Sequence, residues 1–152
     1  MIQAPFPIPY QGSKRKLAPA ILSCVPVGTS RLVEPFCGSA AVSLFALANG
    51  RVQSVWLNDS NVPLAELWSA IIARPDAVVD KYRELWRGQL GREREFYDAV
   101  RSNFNRTHEP ELLLYLLARC VKAAVRYNSN GDFEVPRVWC SAGLWVSCLE
   151  GK

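Results

Sequence analysis

Apolar positions recur along this chain with several different spacings, and each spacing predicts a different element. Ala4–Pro9 alternates proline with apolar residues, which predicts an extended entry rather than a helix. Lys16–Val25 has Leu17, Ile21, Leu22 and Val25 at helical spacing, with Ser13 as its N-cap and Pro26 and Gly28 as its stop. Leu32–Phe36 is a short apolar run and reads as a first strand. Ser39–Ala48 reads as a helix and Gln53–Leu57 as a second strand. Four helices follow: from Pro63 to Ala73, from Pro75 to Leu90, Arg92–Phe104 and Glu109–Ala124. The last is apolar nearly all round, which predicts burial or contact with something outside the chain. Asn130-Gly131, flanked by Tyr127 and Phe133, predicts a hairpin with a two-residue turn. The tail Arg137–Lys152 fits either a strand or an irregular end. Three parts result: an α/β part over 1–74, a helical part over 75–125, and a hairpin with a divergent tail over 126–152.

Composition changes this picture little. The 152 residues are 49% hydrophobic and suit one globular domain. No apolar run approaches the roughly 18–20 residues that span a bilayer, and a cytoplasmic setting is expected. Five scattered cysteines and a single histidine, His108, argue against a zinc site or a disulfide framework, so no metal is expected. Charge matters more. Of the basic residues behind the net charge of +4, Lys14, Arg15, Lys16 and Arg31 stand in the first 33 residues, where there is no acid. Such a patch can serve phosphate contacts, although many solvated faces are basic too.

The stretch with candidate chemistry is Arg31–Val42, RLVEPFCGSAAV, which has the form strand, tight glycine turn, helix. Backbone N–H groups at such a turn can face a nucleotide-like ligand. About twenty residues on, the second strand run ends in Asn58-Asp59, where a carboxylate can accept from a ribose diol. Cys37 in the turn reads as a small residue filling tight space rather than as a nucleophile.

In order, these pieces resemble the Dam-like class of N6-adenine DNA methyltransferases, over Pro5–Pro136. Pro9-Tyr10-Gln11-Gly12-Ser13-Lys14 is similar to that family's N-terminal cofactor motif, and Val33-Glu34-Pro35-Phe36-Cys37-Gly38 to its main cofactor loop. Leu57-Asn58-Asp59-Ser60-Asn61 is similar to its ribose-binding strand end. Phe96-Tyr97, Arg101, Phe104-Asn105 and then Arg126-Tyr127-Asn128 through Pro136 resemble its helical region and DNA-recognition hairpin. The resemblance implies a partial Rossmann-like α/β fold with an inserted helical region, S-adenosylmethionine as cofactor, and double-stranded DNA as partner. It assigns Tyr10, Gly12, Lys14, Glu34, Phe36, Gly38 and Asp59 to the cofactor, and Arg126, Asn128 and Asn130 to DNA. The residue chemistry agrees. S-adenosylmethionine carries no phosphate, so one close backbone approach at Gly38 suffices. Glu34 can pair with the cofactor's ammonium and Asp59 can accept from its ribose. Plainer roles stand beside these: a solvated lysine at a helix start, a core tyrosine, turn chemistry for Asn130-Gly131, and an Arg101–Asp98 pair on one helix face.

Three departures qualify the resemblance. No Asp or Asn is followed by two prolines anywhere, so the Asp-Pro-Pro-Tyr run that holds the target amine in this family is absent. Ala40 stands where the family loop favours glycine, and Glu134 where asparagine is usual. With two strands and a third only conceivable in the tail, an uncovered sheet edge is expected. The expectation is therefore a truncated methyltransferase, inactive alone. The alternatives are a non-enzymatic DNA-binding module and the cofactor half of a split enzyme, whose complementing chain carries the missing run. DNA methylation, as in restriction–modification, is the implied setting.

Overall fold

The computed structural model describes residues 2–137. Its elements are α1 (Ala18–Ser23), β1 (Arg31–Glu34), α2 (Ala41–Ala48), β2 (Ser54–Leu57), α3 (Val62–Ala73), α4 (Pro75–Gly88), α5 (Glu93–Thr107) and α6 (Pro110–Arg119), then a 3-10 turn over Val121–Ala123. The expectations for residues 138–152 lie outside the described residues.

β1 and β2 pair in parallel through the connection that contains α2, and Arg31, Leu32, Val33 and Glu34 lie opposite Ser54, Val55, Trp56 and Leu57. Period-two alternation then sorts the faces. Leu32 and Val55 pack with Leu22, Ala46 and Val52 in a small core shared with α1 and α2. Val33 and Trp56 lie on the other face and stay 51% and 64% exposed. Parallel strands are normally covered on both faces; this face is open among the described residues, whereas the expectation concerned the sheet edge.

The main core is helical. α6 lies at its centre, packed on α3, α4 and α5. Leu112, Leu113, Tyr115, Leu116 and Leu117 are all buried there, which accounts for the apolar character of this helix around most of its circumference. Each such leucine contributes about 1.5–3 kcal/mol by leaving water. Ile8, Cys37, Ala40, Phe133 and Val135 join this core from the N-terminal entry segment, the turn and the hairpin.

Several boundaries differ from expectation, and four of them have a local cause. α1 starts at Ala18, and Leu17, not Ser13, is its N-cap. Pro19, with no N–H to donate, stands at the second helical position, where none is needed. β1 stops at Glu34 because Pro35 cannot donate to the ladder. α2 begins at Ala41, because Ala40 takes a left-handed conformation at φ 49°. α6 ends at Arg119, well short of Ala124. Cys120 turns extended and pairs with Arg137, and the Val121 N–H donates to Pro136 at 3.0 Å.

Candidate functional site

Parallel, in-register pairing brings the C-terminal ends of β1 and β2 side by side, and the candidate residues sit beyond those ends. The turn after β1 is held from both sides of one residue. The Gly38 N–H donates to Asp59 Oδ2 at 2.9 Å, and the Trp68 indole N–H donates to the Gly38 carbonyl at 2.8 Å. Asp59 also accepts the Asn61 N–H on Oδ1 at 3.0 Å. Glu34 reaches across the turn, where its Oε2 accepts the Ser43 N–H of α2 at 3.0 Å. Both carboxylates therefore have fixed orientations before any ligand arrives.

The segment Tyr10–Lys14 forms the opposite wall. Ser39 and Ser13 join their hydroxyls at 2.8 Å, with Ser39 donating. The Tyr10 ring lies over Gly38, so closely that a Cβ there would sit 3.2 Å from Tyr10 Cε1. Lys14 turns back, its ammonium donating to the Gly12 carbonyl at 2.7 Å. Between the walls is a cavity of about 390 Å³, open to solvent. Tyr10, Gly12, Lys14, Glu34, Phe36, Gly38 and Asp59 all line it, so three separate stretches of sequence converge on one space. Phe36 is 78% exposed at its rim, an aromatic face free to stack.

The field in this cavity is negative. Burial, then the Asp59 and Glu34 charges, push the Cys37 thiol up to about 11. Burial, then Asp59 and Cys37, raise the Tyr10 hydroxyl. A thiol so raised is no nucleophile near neutrality, which agrees with its reading as a filler. A cavity with two carboxylates and one self-engaged lysine suits a ligand carrying positive charge, not a pyrophosphate. The close approach expected at Gly38 is made by the chain's own Tyr10 ring, which crowds the position a Cβ would take.

Sequence reasoning gave Ser13 and Ser39 no individual role in this site and missed Trp68 altogether. Only Trp68 left a signal: a tryptophan on the apolar face of a helix needs an acceptor for its N–H.

The hairpin is present, with a longer turn than expected. Tyr127 and Phe133 face each other in an antiparallel bridge, the Asn128 N–H donates to Asp132 at 2.9 Å, and the Gly131 N–H to Asn128 at 3.0 Å. The loop therefore has three residues, ending with Gly131 at φ +83°, where a two-residue turn was expected. Asn128 Oδ1 accepts the N–H groups of Asn130 and Asp132, both at 2.9 Å, so this side chain shapes the turn. Arg126 and Asn130 are exposed. Near the hairpin's base, a second cavity of about 380 Å³ is lined by Arg94, Tyr97, Asp98, Arg101, Pro136 and Arg137. There Arg101 pairs with Asp98 at 3.1 Å. Among the described residues no three metal-ligating side chains gather, and no helix is long and apolar enough to cross a membrane.

Fold and site together define a mixed α/β protein with a cavity at adjoining strand ends and a helical region bearing a hairpin. The family described as D12 class N6 adenine-specific DNA methyltransferase matches residues 10–138, and the chain belongs to it. The DNA adenine methylase of Serratia marcescens is 33% identical over 131 residues, 84% of this chain and 46% of that protein. The DNA adenine methylase of Escherichia coli (strain K12) is 32% identical over 131 residues, 84% of this chain and 45% of that protein. A DNA N-6-adenine-methyltransferase of Escherichia phage P1 is 28% identical over 131 residues, 83% of this chain and 16% of that protein. The chain thus spans about half the length of the DNA adenine methylases it matches.

Proposed function

We propose that this chain is the S-adenosylmethionine-binding part of an adenine-N6 DNA methyltransferase, with its hairpin directed at double-stranded DNA. The observation that carries this reading is the convergence of Tyr10–Lys14, Glu34–Gly38 and Asp59 on one cavity of negative field. Parallel β1 and β2 with α2 between them in sequence support a partial Rossmann-like arrangement, a cofactor part over 1–74 followed by the helical region over 75–125 and the hairpin from 126.

S-adenosylmethionine, when bound, supplies a methyl group activated by a sulfonium. The residues' roles are to bind and orient it. Asp59 accepts from the ribose hydroxyls, Glu34 pairs with the ammonium, and Gly38 leaves room for the Tyr10 ring that walls the cavity. Tyr10 and Phe36 pack on its apolar faces, and Gly12 and Lys14 complete the wall. Arg126 and Asn130 contact the DNA, while Asn128 holds the turn that presents them. With no Asp-Pro-Pro-Tyr run in the 152 residues, the chain by itself binds cofactor without transferring methyl.

Calorimetry with S-adenosylmethionine tests the reading, comparing wild type with Asp59→Ala. Binding in wild type that weakens at least about tenfold in the variant is expected, a difference of about 1.4 kcal/mol. No binding by the wild-type chain overturns the cofactor assignment and favours a DNA-binding module. Methyl incorporation into adenine-containing duplex by the chain alone overturns the inactivity.

A further inference from the structure

The turn that holds the cavity and the hairpin are joined by three hydrogen bonds that meet on Asp59 and Asn61. The Gly38 N–H donates to Asp59 Oδ2 at 2.9 Å. The other oxygen of the same carboxylate accepts the Asn61 N–H at 3.0 Å. From the hairpin, the Tyr127 hydroxyl donates to Asn61 Oδ1 at 3.2 Å, across 66 residues of sequence. The Tyr127 ring is itself built into the hairpin. It stands edge-on to Phe133 at 6.1 Å, and Phe133 is pinned by Asn105, whose Oδ1 accepts its N–H at 2.8 Å.

The opposite wall of the cavity is tied to the same region. The Gln11 N–H donates to the Ala123 carbonyl at 2.8 Å, in the short lead from α6 to the hairpin. That lead holds Lys122 and Ala123 at φ 59° and 48°, a conformation side chains disfavour. Strained backbone persists only where neighbours hold it, and Gln11 is one such neighbour.

We propose that Tyr127 is a positioning residue that couples the cavity to the hairpin through Asn61 and Asp59, so that cofactor and nucleic acid strengthen each other's binding. The proposal rests on reading the cavity as the cofactor site. A ligand that hydrogen-bonds Asp59 changes what that carboxylate offers to Asn61. Asn61 joins the two ends through its own covalent frame, with its N–H on Asp59 and its side-chain Oδ1 on the Tyr127 hydroxyl. Linkage then requires the effect to be equal in both directions.

Tyr127→Phe removes the hydroxyl and keeps the ring, and Asn61→Ala removes the acceptor from the other side. Two measurements decide the matter. Amide exchange by NMR, without any ligand, should show Gly38 and Asn61 exchanging at least about threefold faster in either variant, with the Leu116 amide of α6 unchanged. Unchanged exchange at both amides overturns the proposal. Titration of S-adenosylmethionine with and without an adenine-containing duplex should show affinity rising about fivefold with duplex in wild type and not at all in Tyr127→Phe. Equal enhancement in both also overturns it. A wild-type chain that binds no S-adenosylmethionine overturns the cofactor reading instead, and the exchange measurement then decides the coupling alone.

Discussion

The Tyr10 ring closes over Gly38 and leaves little room for a Cβ: one built there would lie 3.2 Å from Tyr10 Cε1, so the ring would have to give by a few tenths of an ångström. Gly38 also sits at φ +49°, where an L side chain costs roughly 1–2 kcal/mol. Gly38→Ala therefore combines strain with displacement of a cavity wall. The expected result is a loss of about 1–2 kcal/mol by thermal or urea unfolding, and S-adenosylmethionine affinity lower by about tenfold. Gly131→Ala separates the two effects. Its φ of +83° imposes strain, nothing lies within 4 Å of its added carbon, and it should lower stability while leaving cofactor affinity unchanged.

The buried thiols set an alkaline limit. Cys37 and Cys120 are both raised to about 11 from an ordinary 9.0, chiefly by burial. Folding favours the protonated form of each, so their contribution to stability is complete below pH 9.0 and is lost as pH rises through about 11. Unfolding followed against pH should fall in that window, and Cys37→Ala should make the fall shallower. Alkylation near pH 8, mapped by peptide mass, should label exposed Cys24 well before buried Cys37 and Cys120.

Much of the cavity could be read from the chain because it is built from local signals. Pro35, Gly38 and Asp59 mark two strand ends, and parallel pairing of neighbouring strands brings such ends together. What escaped depends on long-range partners. Ser13 reads as a helix cap, yet the helix starts at Ala18 and the Ser13 hydroxyl meets Ser39 instead. The end of α6 is set by Arg137, which pairs with Cys120 from beyond the hairpin, and helical spacing in Glu109–Ala124 carries no trace of that partner. Asn130-Gly131 announces a turn, but the loop length is decided by Asn128, whose side chain accepts two backbone N–H groups.

Ala40 is the departure whose consequence only the backbone reveals. Alanine would be harmless there in a helical conformation, but the residue is left-handed at φ 49° and fully buried. Glycine would relieve roughly 1–2 kcal/mol of strain. It would also forfeit about 0.8 kcal/mol of methyl burial and about 0.4–1 kcal/mol through a freer unfolded chain. These terms nearly cancel, so Ala40→Gly should move the unfolding midpoint by no more than about 2–4 °C. Ala40→Val has no such compensation. A β-branched residue fits neither the conformation nor the space, and a loss of at least about 2 kcal/mol is expected in the same measurement.

The pair Arg74–Glu111 offers an asymmetry that unfolding experiments can read. Their charges meet at 2.7 Å, but the Glu111 side chain is 9% exposed while that of Arg74 is 53% exposed. Glu111 lies in the first turn of α6, and Arg74 joins α3 to α4, so the pair ties the central helix to its neighbours. Arg74→Ala strands a buried carboxylate and should cost about 1–3 kcal/mol, moderated by about 0.3–1 kcal/mol because a helix N-terminus favours negative charge. Glu111→Gln leaves a cation that can turn to water, and it should cost no more than about 1 kcal/mol. In the double variant no charge is stranded, so it should be more stable than Arg74→Ala alone. If instead the double variant is the least stable of the three, the carboxylate is solvated in solution and the pair belongs to the surface.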